Sequence, residues 1–202
     1  MKLNRVHRLL GVILLCPMLA WAVTGLIFFV KPGYSGAYEM LSLKTYPLAA
    51  AASVIPQPSW LEYRYFRTAL GEHLMARTPA GWQHLDPHTL QTKPAPTDAE
   101  VGKLVADALS ANPQRYGQIV SVGDNTVRTS TGVEVRLDWQ QMGLQQRGRD
   151  TDLIDGLYRV HYLQWTGVPA IDRVLGVAGL ALLMGLTILG AKLAFGGITG
   201  RK

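Results

Sequence analysis

Two apolar runs stand at the ends of this 202-residue chain. Residues 9–30 contain no charged side chain, and residues 174–195 contain only Lys192. A bilayer core about 30 Å thick needs roughly 20 apolar residues of helix to cross it. Both runs reach that length, and neither carries the polar stripe of a helix packed on a soluble core. The sequence therefore predicts a membrane protein with two transmembrane α-helices, 9–30 and 174–195. Residues 31–173 form one extracytoplasmic domain between them, and 1–8 and 196–202 are short tails.

Charge placement gives the orientation. The formal net charge is +6, yet all 14 acidic residues and 14 of the 20 basic ones lie within 31–173, so that segment is neutral. The surplus is Lys2, Arg5, Arg8, Lys192, Arg201 and Lys202, all at the membrane ends. Cationic flanks stay cytoplasmic, which places both tails inside and the central domain outside. The basic balance thus records topology; the partner it implies is a lipid bilayer, and no nucleic acid is expected. Ala20-Trp21-Ala22 resembles a signal-peptidase site, but hydrophobicity continues to Val30, so the segment reads as an uncleaved anchor. Leu14-Leu15 before Cys16 is a poor lipoprotein signal. As the single cysteine, Cys16 has no intrachain disulfide partner.

Between the helices the texture is α+β. Residues 31–60, with Gly33, Gly36, Pro47, Ala49 to Ala52, Pro56 and Pro58, read as an extended linker with one short strand near 39–43. Alternating segments at 62–69, 73–77 and 82–85 make an antiparallel meander, turning at Gly71-Glu72 and Pro79-Ala80-Gly81. Thr97-Asp98-Ala99-Glu100 has capping-box spacing and opens a helix with Val101, Leu104, Val105, Ala108 and Leu109 on one face. Asn112-Pro113 stops it. Further strands follow at 118–122, 126–129 and 133–139. A last amphipathic helix, 152–165, sets Leu153, Leu157, Val160, His161 and Trp165 on one side, as suits the bilayer surface.

Taken in order, these residues resemble a known family. Arg5-Val6-His7-Arg8-Leu9-Leu10-Gly11 followed by Trp21-Ala22-Val23-Thr24-Gly25-Leu26 is similar to the opening of the PepSY-associated transmembrane family. Val160-His161, Gly167, Gly176 and Thr187 resemble its second membrane segment. Leu85-Asp86-Pro87-His88-Thr89 looks like the turn of a PepSY module, with Leu90 where Gly is usual. Val135-Arg136-Leu137-Asp138 looks like the end of a second, weaker copy. The chain corresponds to one half of the larger, four-helix members. The resemblance implies a bacterial inner-membrane protein with a periplasmic domain. Larger relatives reduce iron–siderophore complexes with b-type hemes on membrane histidines.

Resemblance makes His7 and His161 the candidate axial ligands of heme b. On the first helix His7, Gly11, Leu14, Met18, Trp21, Gly25 and Phe28 share a face. On the second, Gly176, Gly179, Leu183, Thr187 and Gly190 do so, where glycines admit another backbone or a flat macrocycle. His7 belongs to the cytoplasmic edge and His161 to the outer one, about 30 Å apart, so one heme cannot use both. Each would need a second ligand from another chain, in a homodimer or beside another membrane protein. The plainer alternatives are an interfacial His7 in a basic segment and a surface-helix polar contact for His161. His84 and His88 are separated by Pro87 and read as ordinary strand and turn residues, not metal ligands. No catalytic residue is expected in the domain, which has no nucleophile–base pair, phosphate loop or zinc signature.

Three functions are compatible with these features. The chain is a subunit or accessory of a membrane electron-transfer or iron-reduction system, which would make it a heme-dependent ferric reductase component. Alternatively, it is a tethered periplasmic binding module, protease-inhibitor-like or partner-binding, with no redox role. A third reading is an assembly subunit of a larger complex.

Overall fold

A computed structural model describes residues 2–48 and 54–196. In chain order the elements are α1 (Lys2–Val30), α2 (Tyr34–Ala37), β1 (Glu62–Thr68), β2 (Gly71–Thr78), β3 (Gly81–Leu85), α3 (Asp98–Leu109) and α4 (Pro113–Tyr116). Then come β4 (Ile119–Gly123), β5 (Thr126–Thr129), β6 (Glu134–Asp138), β7 (Gly143–Arg147), α5 (Arg149–His161) and α6 (Pro169–Gly196). The chain divides into a terminal unit, within 2–34 and 152–196, and a central unit, 35–151. Two long apolar helices therefore flank a central region of helix and antiparallel sheet.

In the terminal unit, Leu3–Val30 and Pro169–Phe195 are each long and apolar enough to cross a membrane. Their side chains are mostly exposed, Phe29 at 87% and Val177 at 66%, so no protein core covers them. Helix α1 begins at Lys2, so the expected tail 1–8 is helical from its second residue. The other expected tail, 196–202, lies outside the described residues except Gly196, as do Ala49 to Ala52 of the expected linker. Pro17 sits inside α1, where it removes one backbone donor. The two helices pack antiparallel: His7 meets Gly190, while Leu14, Met18 and Trp21 line one cavity with Gly176, Leu180 and Leu183.

The central unit is a doubled meander. Strands β1-β2-β3 form one antiparallel sheet and β4-β5-β6-β7 the other, each in sequence order. A bridge between Leu85 and Thr92 adds a rudimentary fourth strand to the first sheet, where the second has β7. The two final turns share the same pair of aspartate hydrogen bonds. Asp86 Oδ1 accepts from the His88 and Thr89 N–H groups at 2.9 Å each. Asp138 Oδ1 accepts from the Gln140 and Gln141 N–H groups at 3.0 Å each. In both, the fourth residue after the aspartate is left-handed: Leu90 at φ 58° and Met142 at φ 50°. Leu90 thus takes the backbone conformation for which glycine is the usual choice.

Helix α3 starts as its sequence predicts. The Thr97 N–H donates to Glu100 Oε2 at 2.8 Å, and the Thr97 hydroxyl accepts from the Glu100 N–H. Its buried face of Val101, Leu104, Val105, Ala108 and Leu109 packs on Val127, Val135 and Leu137 of the second sheet and Met75 of the first. Leu74, Ala76 and Leu85 build a smaller core on the other face of the first sheet.

Several expectations are corrected. No strand forms at 39–43; Leu41 and Leu43 instead pack as loop residues on the main core. The last amphipathic helix runs Arg149–His161, shifted toward the N-terminus from 152–165, and Trp165 lies beyond its end. Its buried residue is Ile154, and Leu153 is 64% exposed. Helix α4 and strand β7 go beyond the elements expected: α4 is a single turn capped by Asn112 with Pro113 at its start, where the sequence reading has only a stop, and β7 is a run of mostly polar residues.

A polar clamp holds residues 36–39 to this domain. Arg115 Nη1 donates to Asp150 Oδ2 at 2.6 Å, and its Nε donates to Gln146 Oε1 at 3.1 Å. Gln146 Nε2 donates to the Glu39 carbonyl at 2.6 Å. A Cβ on Gly36 would stand 2.6 Å from Arg115 Nη1, so the guanidinium needs glycine there. The Arg115 hydrogen bond holds the Asp150 carboxyl below its ordinary range.

Candidate functional site

The terminal unit concentrates aromatic and imidazole groups where α5 meets the end of α1. Thr24 is 3% exposed, and its hydroxyl donates to the Ala20 carbonyl at 2.7 Å, one turn back. With that proton committed, the hydroxyl oxygen accepts from His161 Nδ1–H at 2.9 Å. In that arrangement the imidazole carries its proton on Nδ1, and the lone pair on Nε2 is left for another partner. This matches the usual arrangement of a metal-ligating histidine, whose other nitrogen donates to an orienting acceptor.

Packing fixes the ring plane as well. Trp21 stacks on His161 with centroids 5.5 Å apart, and Phe28 meets it edge-on at 5.0 Å. Tyr162 adds a perpendicular contact at 5.4 Å. A Cβ on Gly25 would lie 3.9 Å from His161 Cε1, which is ordinary contact, so larger side chains there would press on the ring. Thr24-Gly25 thus supplies an acceptor and a clear face side by side.

His161 also lines a cavity of about 1140 Å³, whose walls include Leu14, Met18, Trp21, Leu180 and Arg173. Pockets that hold drug-sized ligands span about 300–1,000 Å³. The volume therefore admits a large, mainly apolar molecule. The imidazole, the apolar side chains and the arginines that line the cavity together would suit an amphiphilic metallomacrocycle such as heme.

His7 stands apart from this site. It packs against Gly190, where a Cβ would approach His7 Cε1 to 3.2 Å. Its Nδ1 is enclosed and has no hydrogen-bond partner among the described residues. From His7 to Thr24 the helix rises about 25 Å. The two sequence-selected histidines are therefore at opposite ends of the helix pair, and only His161 borders the large cavity.

A second histidine arrangement escaped the sequence. In the central unit Thr68, His73, His84 and Trp139 form one hydrogen-bonded chain. His84 Nδ1 lies 3.0 Å from the Trp139 carbonyl, which can only accept, so that nitrogen carries a proton. His84 Nε2 then accepts from His73 Nδ1–H at 2.9 Å. His73 Nε2 in turn accepts from the Thr68 hydroxyl at 2.7 Å, and Thr68 accepts from the Leu70 N–H at 3.1 Å. Every proton is used once when both rings are neutral. Burial pushes His73 down to about 3 and His84 to about 4, with the Lys93 charge adding to each. All four ring nitrogens are occupied, so the pair offers no lone pair to a metal. His84 lies on β3 as expected but within this buried chain, and His88 lies in the Asp86 turn, 79% exposed, with Nε2 3.8 Å from Glu72. The missed signal is His73 opposite Phe66 and beside Met75 on a strand buried on both faces.

Fold and site together define a class: a helix pair apolar enough to cross a membrane, bracketing a doubled β-meander and carrying an oriented imidazole beside a large cavity. No family model matches the chain, and no similar curated protein or solved structure is found.

Proposed function

We propose that this is a membrane protein of the PepSY-associated transmembrane kind that binds heme b at His161 and serves electron transfer or iron–siderophore reduction. Both terminal helices span the bilayer, the ends face the cytoplasm, and the central domain is periplasmic. The observation that carries the reading is His161 itself: Nδ1–H held by Thr24, Nε2 uncommitted, and a cavity alongside. The matched turns at Asp86 and Asp138 support the PepSY part, and the cations at the helix ends support the orientation.

In this reading heme supplies one-electron redox chemistry when bound. The chain supplies the rest. His161 offers its lone pair, Thr24 holds the ring in orientation, and Trp21 and Phe28 pack against it. One imidazole borders the cavity, so a six-coordinate iron would take its second ligand from a second copy or another membrane protein.

The test is the absorbance spectrum of detergent-purified protein from heme-replete cells. A Soret band is expected, and it is lost in His161→Ala and retained in His88→Ala. A colourless wild-type preparation that also fails to take up added hemin overturns the proposal.

A further inference from the structure

The cavity beside His161 has one feature that iron ligation does not use. Arg173 and Arg159 both line it, and neither forms an ion pair among the described residues. The one carboxylate on the wall, Asp172, is already engaged. Its Oδ1 accepts from the Thr166 hydroxyl at 2.7 Å and from the Thr166 N–H at 3.0 Å. Asp172 sits in the first turn of α6, where the helix dipole favours a negative charge. The same dipole disfavours the cation next to it. Arg159, in the last turn of α5, suits its own helix end. Arg173 stands at the end of α6 that disfavours a cation and forms no ion pair among the described residues, and an anion in the cavity would supply one.

Height along the helices matters next. His7 lies against Gly190, and the helices are antiparallel. Thr24 stands as far along α1 from His7 as Arg173 stands back along α6 from Gly190. Arg173 is therefore level with Thr24, the residue that holds His161. Toward the middle of the pair the walls become apolar, with Leu14, Met18 and Leu183. An occupant bonded to His161 thus meets cationic side chains at one edge and hydrocarbon at the other.

We propose that Arg173, with Arg159, which lines the same cavity, binds the carboxylates of the occupant, so that the site selects a dianionic amphiphilic porphyrin by its acid edge. This rests on the heme reading above and adds the recognition element. A guanidinium binds a carboxylate through paired charge-assisted hydrogen bonds, and their loss costs about tenfold in affinity per arginine.

The test compares hemin with its dimethyl ester, in which both carboxylates are masked. Each is titrated into heme-depleted full-length protein in detergent and followed by Soret absorbance. Wild type is expected to bind hemin at least about tenfold more tightly than the ester. Arg173→Gln, and more so Arg173→Gln with Arg159→Gln, should weaken hemin binding and leave ester binding unchanged. The selectivity ratio is the readout, and a general loss of folding does not mimic it, because it would weaken both ligands alike. Equal affinities for hemin and ester in wild type, or equal losses for both in the variants, overturn the inference while leaving heme binding intact. Failure of wild type to bind either ligand overturns the heme reading and this inference with it.

Discussion

The buried histidine pair makes the central domain sensitive to acid within a defined window. An exposed imidazole titrates near pH 6.5. In the folded state His73 is pushed to about 3 and His84 to about 4, first by burial and then by Lys93. Below pH 6.5 the unfolded chain therefore binds protons that the folded chain refuses. Stability contributed by the neutral pair is fully present above pH 6.5 and is lost as pH falls toward 4 and 3. A fully developed proton difference is worth about 1.4 kcal/mol per pH unit and group, so from pH 7 to 4.5 each ring costs about 2–3 kcal/mol, and the two together about 5 kcal/mol. That is a large share of the ~5–15 kcal/mol that holds a typical domain folded. The carboxylates held low by hydrogen bonds, such as Asp86 and Asp150, act in the same direction but only below about pH 4. The window from 6.5 to 4.5 therefore isolates the imidazoles.

The assay is urea unfolding of the full chain in detergent at pH 7 and 4.5, followed by tryptophan fluorescence. Trp139 is a local reporter, because its ring lies 4.2 Å from His84 and 5.7 Å from His73. A fall of about 5 kcal/mol is expected for wild type. His73→Leu with His84→Leu should be less stable at pH 7 by about 1–3 kcal/mol, since Thr68 and the Trp139 carbonyl lose partners. That variant should also have a flatter acid slope. A wild-type change under about 1 kcal/mol, or a double variant with an undiminished slope, would refute the reasoning.

Four further perturbations follow from the same structure. Thr24→Val removes the acceptor of His161 Nδ1–H and should weaken hemin binding about 10- to 100-fold by Soret titration, whereas Thr24→Ser should restore it. Arg115→Ala leaves Asp150 half-buried without its cation and should lower urea stability by about 3 kcal/mol; Arg115→Lys should recover part of that, lacking the second donor to Gln146. Gly190→Leu drives a side chain into His7, already 3.2 Å from an added Cβ, and should cost about 1–3 kcal/mol in a detergent thermal melt. Asp124 and Asn125 hold φ of 51° and 57° in the β4–β5 hairpin, so Asn125→Gly should match or exceed wild-type melting temperature.

What could be read from the sequence follows physical range. The two long apolar helices were legible because their signal is local, a 22-residue run holding at most one charge. The α3 cap was legible because a capping box needs only four consecutive residues. Strand β5 was legible because its turns are marked by Asp124-Asn125 and Thr131-Gly132. By contrast β7, Gly-Leu-Gln-Gln-Arg, has almost no apolar content; it is a strand because β6 pairs with it, a tertiary cause. The opposite placement of His7 and His161 was likewise legible, since helix length alone sets it. The Thr24 hydrogen bond was not, for it joins residues 137 positions apart.

The histidine pair escaped notice for a reason that also explains why it exists. The second meander follows the usual rule of one buried face: Val127 and Thr129 are inward and Arg128 outward on β5, and Val135 and Leu137 inward with Arg136 outward on β6. The first meander breaks that rule. In β2, His73, Leu74, Met75 and Ala76 are all buried, because one face joins the main core and the other the small core of Leu74, Ala76 and Leu85. A polar residue in such a strand cannot turn to water, so its hydrogen bonds must close inside the protein. His73 finds Thr68 on the neighbouring strand's end and His84 across the sheet, and His84 then reaches the Trp139 carbonyl. Trp139 belongs to the Asp138 turn, the counterpart in the second copy of the Asp86 turn in the first. The chain of neutral imidazoles therefore ties one copy to the other at the turn they share in form. Protonating either ring breaks that tie before it unfolds either sheet, so loss of Trp139 fluorescence contrast should precede loss of β-sheet circular dichroism as pH is lowered.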